Sequence, residues 1–166
     1  MEKIKLIEMM EKINPDMDIS YDNMVDLMMD DIEYIKKYQN RIGELKADET
    51  YDILRYNPQS FELLKNHARD VLDGKHFALL KAYSPEIAHK FKDMNFLISP
   101  SHIHDVIKYD PDKLTAFSDI LKDDEWLKRN EGELRGLLRI MPKLKNHPIF
   151  NRAKVLQHNN LISVGL

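Results

Sequence analysis

Seven histidines and 28 carboxylates are the side chains in this sequence best suited to acid–base or metal chemistry, and their spacing limits what they can do. The densest group is His102-Ile103-His104-Asp105, directly after Ser99-Pro100. Imidazole and carboxylate are zinc-type donors, but on a helix His102 and Asp105 share a face while His104 points elsewhere. No His-Glu-x-x-His spacing and no second cluster offers a further ligand, so no metal is assigned. Asp16, Asp18, Ser20 and Asp22 stand at positions one, three, five and seven of a calcium-type loop. Tyr21 replaces its turn glycine and Leu27 its closing glutamate, and a helix start capped by Ser20 or Asp22 accounts for the same residues. Asp123-Asp124-Glu125 precede Trp126 where acids complement the positive end of a helix, which explains them without acid–base work.

Nucleophilic and phosphate-cradling motifs are absent. There is no Gly-x-Ser-x-Gly, and Gly43, Gly74, Gly132, Gly136 and Gly165 are scattered. Gly74, after Val71-Leu72-Asp73, reads as the C-cap of a helix. With no cysteine there is no disulfide, thiolate metal site or cysteine nucleophile. No catalytic residue and no cofactor is assigned, and the chain is read as non-enzymatic.

Charge is the remaining signal. Residues 1–50 hold 13 acids and 7 bases, whereas from Trp126 onward there are 8 bases against only Glu131 and Glu133. Arg135 and Arg139 lie four apart on one helical face, and Lys143, Lys145, Arg152 and Lys154 continue the basic stretch. Such a surface suits nucleic-acid phosphates or an acidic protein, including the acidic first third of a second copy. Trp126 and Phe150 are the only aromatics after residue 125, which is sparse interleaving for nucleic acid. The first expectation is therefore a protein–protein interaction module, an adaptor or accessory subunit that uses a helical surface. A nucleic-acid-binding protein is the alternative.

The elements that position these residues are helical. With 43% hydrophobic and 32% charged residues the chain has a globular balance, and 166 residues suffice for one core. No apolar run reaches the ~18 residues of a membrane span, and acids interrupt the apolar start, so a cytoplasmic protein is expected. Strand-like alternation is absent. Ile4, Ile7 and Met10 with Leu6, Met9 and Ile13 form the apolar face of a first helix ending at Asn14-Pro15. Seven of the nine methionines fall in the first 29 residues and suit either core filling or an adaptable contact surface. Tyr21, Val25, Met28, Ile32, Ile35, Tyr38, Ile42 and Leu45 recur at three- and four-residue steps, which predicts one long helix over Tyr21–Lys46.

Beyond residue 50 a phrase recurs: Ile53-Leu54-Arg55-Tyr56-Asn57-Pro58, Leu79-Leu80-Lys81-Ala82-Tyr83-Ser84-Pro85, Val106-Ile107-Lys108-Tyr109-Asp110-Pro111 and Leu137-Leu138-Arg139-Ile140-Met141-Pro142. Its prolines are 27, 26 and 31 residues apart. An aliphatic pair and a base end one helix, and Asn57, Ser84 and Asp110 read as N-caps of the next, with proline at its first position. The aliphatic-pair-to-proline spacing resembles mitochondrial transcription termination factor repeats, and Asn57-Pro58 through Asp70 resembles a leucine-rich variant repeat. No activity is carried over from either. The expected architecture is a single all-α domain over residues 1–166. It comprises an acidic helical hairpin over 1–49, stacked short helical hairpins over 50–156 (α-solenoid-like or an irregular bundle), and an apolar tail over 157–166. That tail, ending Leu161-Ile162-Ser163-Val164-Gly165-Leu166, is expected to dock on its own domain or on a neighbour.

Overall fold

Proline disfavours the α conformation in the residue before it, and that rule ends four of the helices of this chain. The computed structural model describes residues 2–14 and 18–146, with side chains through Leu144. Every regular element among the described residues is helical, so the fold is all-α. The chain divides into two compact units, one up to Leu72 and one from Asp73 onward, a boundary later than the change of pattern near residue 50. Among the described residues no helix is long and apolar enough to cross a membrane.

The first unit contains α1 (Glu2–Ile13), α2 (Tyr21–Asp30), α3 (Ile32–Lys37), a 3₁₀ segment Gln39–Glu44, α4 (Ala47–Tyr56), a 3₁₀ turn Pro58–Ser60 and α5 (Phe61–Val71). The long helix expected over Tyr21–Lys46 is therefore broken. Asp31 adopts an extended conformation (φ −149°, ψ 134°). Its N–H closes α2 on the Leu27 carbonyl at 3.1 Å, and its carboxylate accepts the Glu33 N–H at 2.9 Å, so one residue ends α2 and caps α3. A second break at Tyr38 turns the chain into the 3₁₀ segment. Val25, Met28, Ile35, Ile42 and Leu45 are still buried, because each short helix keeps its own apolar side inward.

The second unit contains α6 (Gly74–Tyr83), α7 (Pro85–Lys90), a 3₁₀ segment Lys92–Leu97, α8 (Pro100–Ile107) and a 3₁₀ segment Pro111–Phe117. It continues with α9 (Ser118–Leu121), α10 (Asp124–Arg129), α11 (Glu131–Ile140) and a 3₁₀ segment Pro142–Asn146. Here α8 packs between α6 and α11, while in the first unit α2 packs on α4 and α4 on α5. The Trp126 indole donates to the Ile98 carbonyl at 2.7 Å inside the core, and Phe77 meets Phe91 edge to face at 5.5 Å.

One local geometry recurs through both units. Asn57 (−131°, 77°), Ser84 (−143°, 64°), Asp110 (−142°, 76°) and Met141 (−124°, 72°) share nearly the same φ and ψ. Each sends its N–H to the carbonyl four residues back: Ile53, Leu80, Val106 or Leu137. The capping role expected of Asn57, Ser84 and Asp110 is not what the structure shows. None makes a side-chain cap bond to the following helix. Asn57 instead donates to the Met28 carbonyl at 3.0 Å. Met141 has the same conformation without a polar side chain, so the proline that follows sets the joint and the side chain is free for other contacts.

The side-chain caps lie one helix earlier. Ser20 accepts the Asn23 N–H, and Asp73 and Ser99 accept those of His76 and His102 in two reciprocal capping boxes. Before each of these caps, and before Lys46, stands a buried aliphatic: Ile19, Leu45, Leu72 or Ile98. Twelve residues after each comes Asp31, Asn57, Ser84 or Asp110.

Burial follows the same register. Seven, four and three residues before the five joints lie Met24, Leu27 and Met28; Thr50, Ile53 and Leu54; Phe77, Leu80 and Lys81; Ile103, Val106 and Ile107; and Leu134, Leu137 and Leu138. All are buried, and only Thr50 and Lys81 are polar. At about 1.5–3 kcal/mol for each fully buried aliphatic, these three rows dominate the packing energy of the helices that carry them.

Polar contacts fasten α1. Glu8 accepts from the Tyr34 hydroxyl, and Glu11 from the Tyr38 hydroxyl and the Lys37 ammonium. The bond to Glu8, then burial, raises the Tyr34 phenol from 10.0 to about 12. Burial first, then the Glu11 bond, raises Tyr38 as well. At Glu11 burial pushes the carboxyl upward, but the Lys37 and Tyr38 bonds together with the Lys37 charge outweigh it and hold it below 4.5. Both tyrosine bonds are thus fully present below pH 10 and lost as pH rises through the raised phenol values. The Glu11 contribution is present above its ordinary carboxyl range and lost as pH falls through the lowered value.

Gly74 is not a helix C-cap, as its sequence position suggests, but the first residue of α6, because Asp73 caps that helix. A Cβ there would lie 2.0 Å from the Leu97 carbonyl oxygen and 2.5 Å from the His102 ring, so only glycine fits this approach. Two measurements check these assignments. Gly74→Ala should lower stability by about 1–3 kcal/mol through overpacking. Gly136→Ala, where an added Cβ meets nothing, should raise it by about 0.5–1 kcal/mol in denaturant unfolding. In phenolate absorbance titration Tyr34 and Tyr38 should ionise late, and each Phe substitution should remove one late step. A late phase left unchanged by both substitutions would contradict the α1 contacts.

Candidate interaction groove

The N-terminal half of α8 and one side of α11 enclose an open groove of about 400 Å³. Ser99 caps α8 and Pro100 occupies its first position, where a missing N–H costs nothing. With Ile103, Val106 and Ile107 turned into the core, Pro100, Ser101 and His104 are left along the edge facing α11. Helix α11 buries Leu134, Leu137 and Leu138 and contributes Glu133, Gly136, Leu137 and Ile140, at i, i+3, i+4 and i+7. The floor is apolar. Ile140 is 68% exposed, and Gly136 contributes bare backbone in mid-helix.

Three polar groups rim this groove. The Ser101 hydroxyl bonds to the Ser99 hydroxyl at 2.8 Å, His104 stands half-buried 4.0 Å from Asp105, and Glu133 is exposed. No hydrogen bond joins Ser101, His104 and Glu133 to one another, so the arrangement is not a nucleophile–base relay. His102 does not enter the groove. Its Nδ1 accepts the Ser99 N–H at 3.0 Å as part of the capping box, and its ring lies against Gly74. Asp105 faces Lys108 at 3.5 Å. The His102–Asp105 cluster is thus divided among a cap, a groove rim and an ion pair. Among the described residues no group of three or more His, Asp or Glu converges as a metal shell.

The six basic candidates are also divided. Arg135 is half-buried and held by Glu131 at 3.1 Å, with its Nε–H buried without an acceptor. Arg139 and Lys143 are exposed. The Lys145 side chain, Arg152 and Lys154 lie outside the described residues, as does the apolar segment 157–166. Of the calcium-like residues, Asp16 lies outside the described residues, Asp18 faces Arg41 at 3.7 Å, and Ser20 caps α2. Asp123 accepts the Glu125 and Trp126 N–H groups at 3.0 and 3.3 Å and caps α10. The methionines divide too: Met24 and Met28 are fully buried in the core, while Met9 and Met10 are exposed on α1.

Reading for chemistry passed over Gly136, Leu137 and Ile140, because none of them can titrate, ligate or attack. The signal that would have found them is the i, i+3, i+4, i+7 line from Glu133 to Ile140, which places a glycine and an unburied isoleucine on one side of a helix whose core face is already complete. No protein-family model, curated protein or solved structure matches this chain.

Proposed function

We propose that the chain is a non-enzymatic interaction module, built from helical repeats, that receives an amphipathic helix of a partner protein in the groove between α8 and α11. The observation that carries this reading is the combination of an apolar floor, an exposed Ile140 and a mid-helix glycine at Gly136. Glycine in a helix interior costs about 0.5–1 kcal/mol relative to alanine, and here no neighbouring atom demands it. A second helix lying across Gly136 gives that cost a purpose, since the missing side chain lets the two backbones approach closely. Apolar side chains at helical spacing on the partner fill such a groove. The rim sets its polarity: a base on the partner suits Glu133.

Nucleic acid is the less supported partner. Arg135 is committed to Glu131, which leaves Arg139 and Lys143 as exposed bases among the described candidates of this stretch. Two phosphate contacts make only a shallow salt dependence.

The test is selection of a displayed library of amphipathic helices on the purified chain. Binders should lose at least tenfold in affinity, about 1.4 kcal/mol, on Ile140→Asp and on Gly136→Arg. Both positions face open space, so thermal unfolding should report an intact fold for each variant. Binders that ignore both substitutions, or salt-sensitive capture of single-stranded DNA with micromolar affinity, would overturn the reading.

A further inference from the structure

Three residues before four of the five joints the core receives an aliphatic or thioether side chain: Met28, Leu54, Ile107 or Leu138, each 1% exposed or less. At the fifth, before Ser84, the residue is Lys81. In the recurring phrase Lys81 reads like Arg55, Lys108 and Arg139, but those stand two residues before their joints and Lys81 stands three. One residue is about 100° of helix rotation, and it carries Lys81 from the surface into the core face of α6. Its side chain is 9% exposed. A lysine here gives up the hydrophobic gain of the other four and incurs the desolvation of an ammonium, so the position departs from the chain's own pattern at a cost in stability.

The surroundings point to what the lysine serves. Its ammonium meets one acceptor, the Asp119 carboxylate at 2.9 Å, and the same oxygen takes the Asn95 amide at 3.1 Å. An ammonium has three N–H donors, so two are uncommitted among the described residues. Lys81 lines a pocket of about 210 Å³ together with His89, Lys92, Ser118 and Asp119. Two lysines and an imidazole thus line a pocket whose one carboxylate already accepts from two donors. We propose that this pocket binds a phosphoryl-type oxyanion. Lys81 is its buried anchor, held in place by Asp119; Lys92 and His89 close on the anion from the rim, and the Ser118 hydroxyl adds a neutral donor. The ligand class is free inorganic phosphate or a phosphoryl group carried by a larger molecule. The site lies beyond the interaction reading above and does not involve the α8–α11 groove.

Inorganic phosphate titrated into the full chain at constant ionic strength, with chloride as the balancing anion, tests this by amide chemical shifts. Saturable shifts should centre on residues 81–92 and 116–119. Lys92→Gln, on the exposed rim, should weaken binding at least fivefold. Lys81→Met, which restores the side-chain type of the other four positions, should keep the fold and remove saturable binding. A phosphoserine peptide that binds at least tenfold tighter than phosphate supports a macromolecular source, and equal affinity supports the free anion. No saturable response beyond the chloride control, or a response that survives both substitutions, overturns the proposal. Ile140→Asp should leave the titration unchanged, so the result here is separable from that of the groove.

Discussion

A proline that disfavours the α conformation in its predecessor is the constraint on which the rest of this structure depends. At four such pairs the preceding residue settles near φ −135° and ψ 70° while its N–H still closes the helix behind it, whereas Ser99 before Pro100 is extended and caps α8. The joint residue's N–H pairs one of the carbonyls of the helix's last turn, and the direction of the next element follows from two dihedral angles. Asp31 ends its helix without proline, its carboxylate accepting the Glu33 N–H in the first turn of α3. Because side-chain identity matters little to the joint, the residues there are released for other work, as Asn57 shows by reaching the Met28 carbonyl.

From that constraint the core register follows. A helix that always stops at the same residue presents the same positions inward, and burial at seven, four and three residues before each joint is the outcome. The residue just before three of the joints points outward: Tyr56, Tyr109 and Ile140 are more than half exposed, while Tyr83 before Ser84 is half-buried. Segments of 26 or 27 residues obey this rule without sharing much sequence, because the rule asks for an apolar triplet, a joint and a cap and leaves the rest free. The departures are then informative. Thr50 satisfies its hydroxyl on the Lys46 carbonyl and fits the core, whereas Lys81 needs an acceptor from outside its own helix.

The all-α class and the proline joints were legible in the sequence because helical periodicity and Xaa-Pro pairs act locally. The break at Asp31 was not, since the apolar stripe from Tyr21 to Leu45 runs across it without losing its period; a single extended residue leaves no mark on a hydrophobic pattern. The caps were misplaced for a related reason. Asn57, Ser84 and Asp110 are good capping residues standing before proline, but a cap needs the side chain to reach the N–H groups two or three residues on, and the joint geometry does not give it that reach. Ser99 and Asp73, at the other end of each segment, have the extended backbone that capping requires.

The candidate surfaces were harder to read than the fold because they are made of what the core leaves over. Histidines and acids attract attention in a sequence, yet His76, His102 and Asp123 are spent on capping, and Arg135 on an ion pair. What remains at the α8–α11 groove is a glycine without a steric reason and an isoleucine without cover among the described residues. Such absences appear only once the neighbours have been placed. Both carry a physical cost, in helix propensity at Gly136 and in exposed apolar area at Ile140, and they bear it side by side on one line of one helix. The proposed partner helix would cover the isoleucine and use the close approach that the glycine permits, and two such costs at one place make a stronger case for contact than either a larger pocket or a denser cluster of charge.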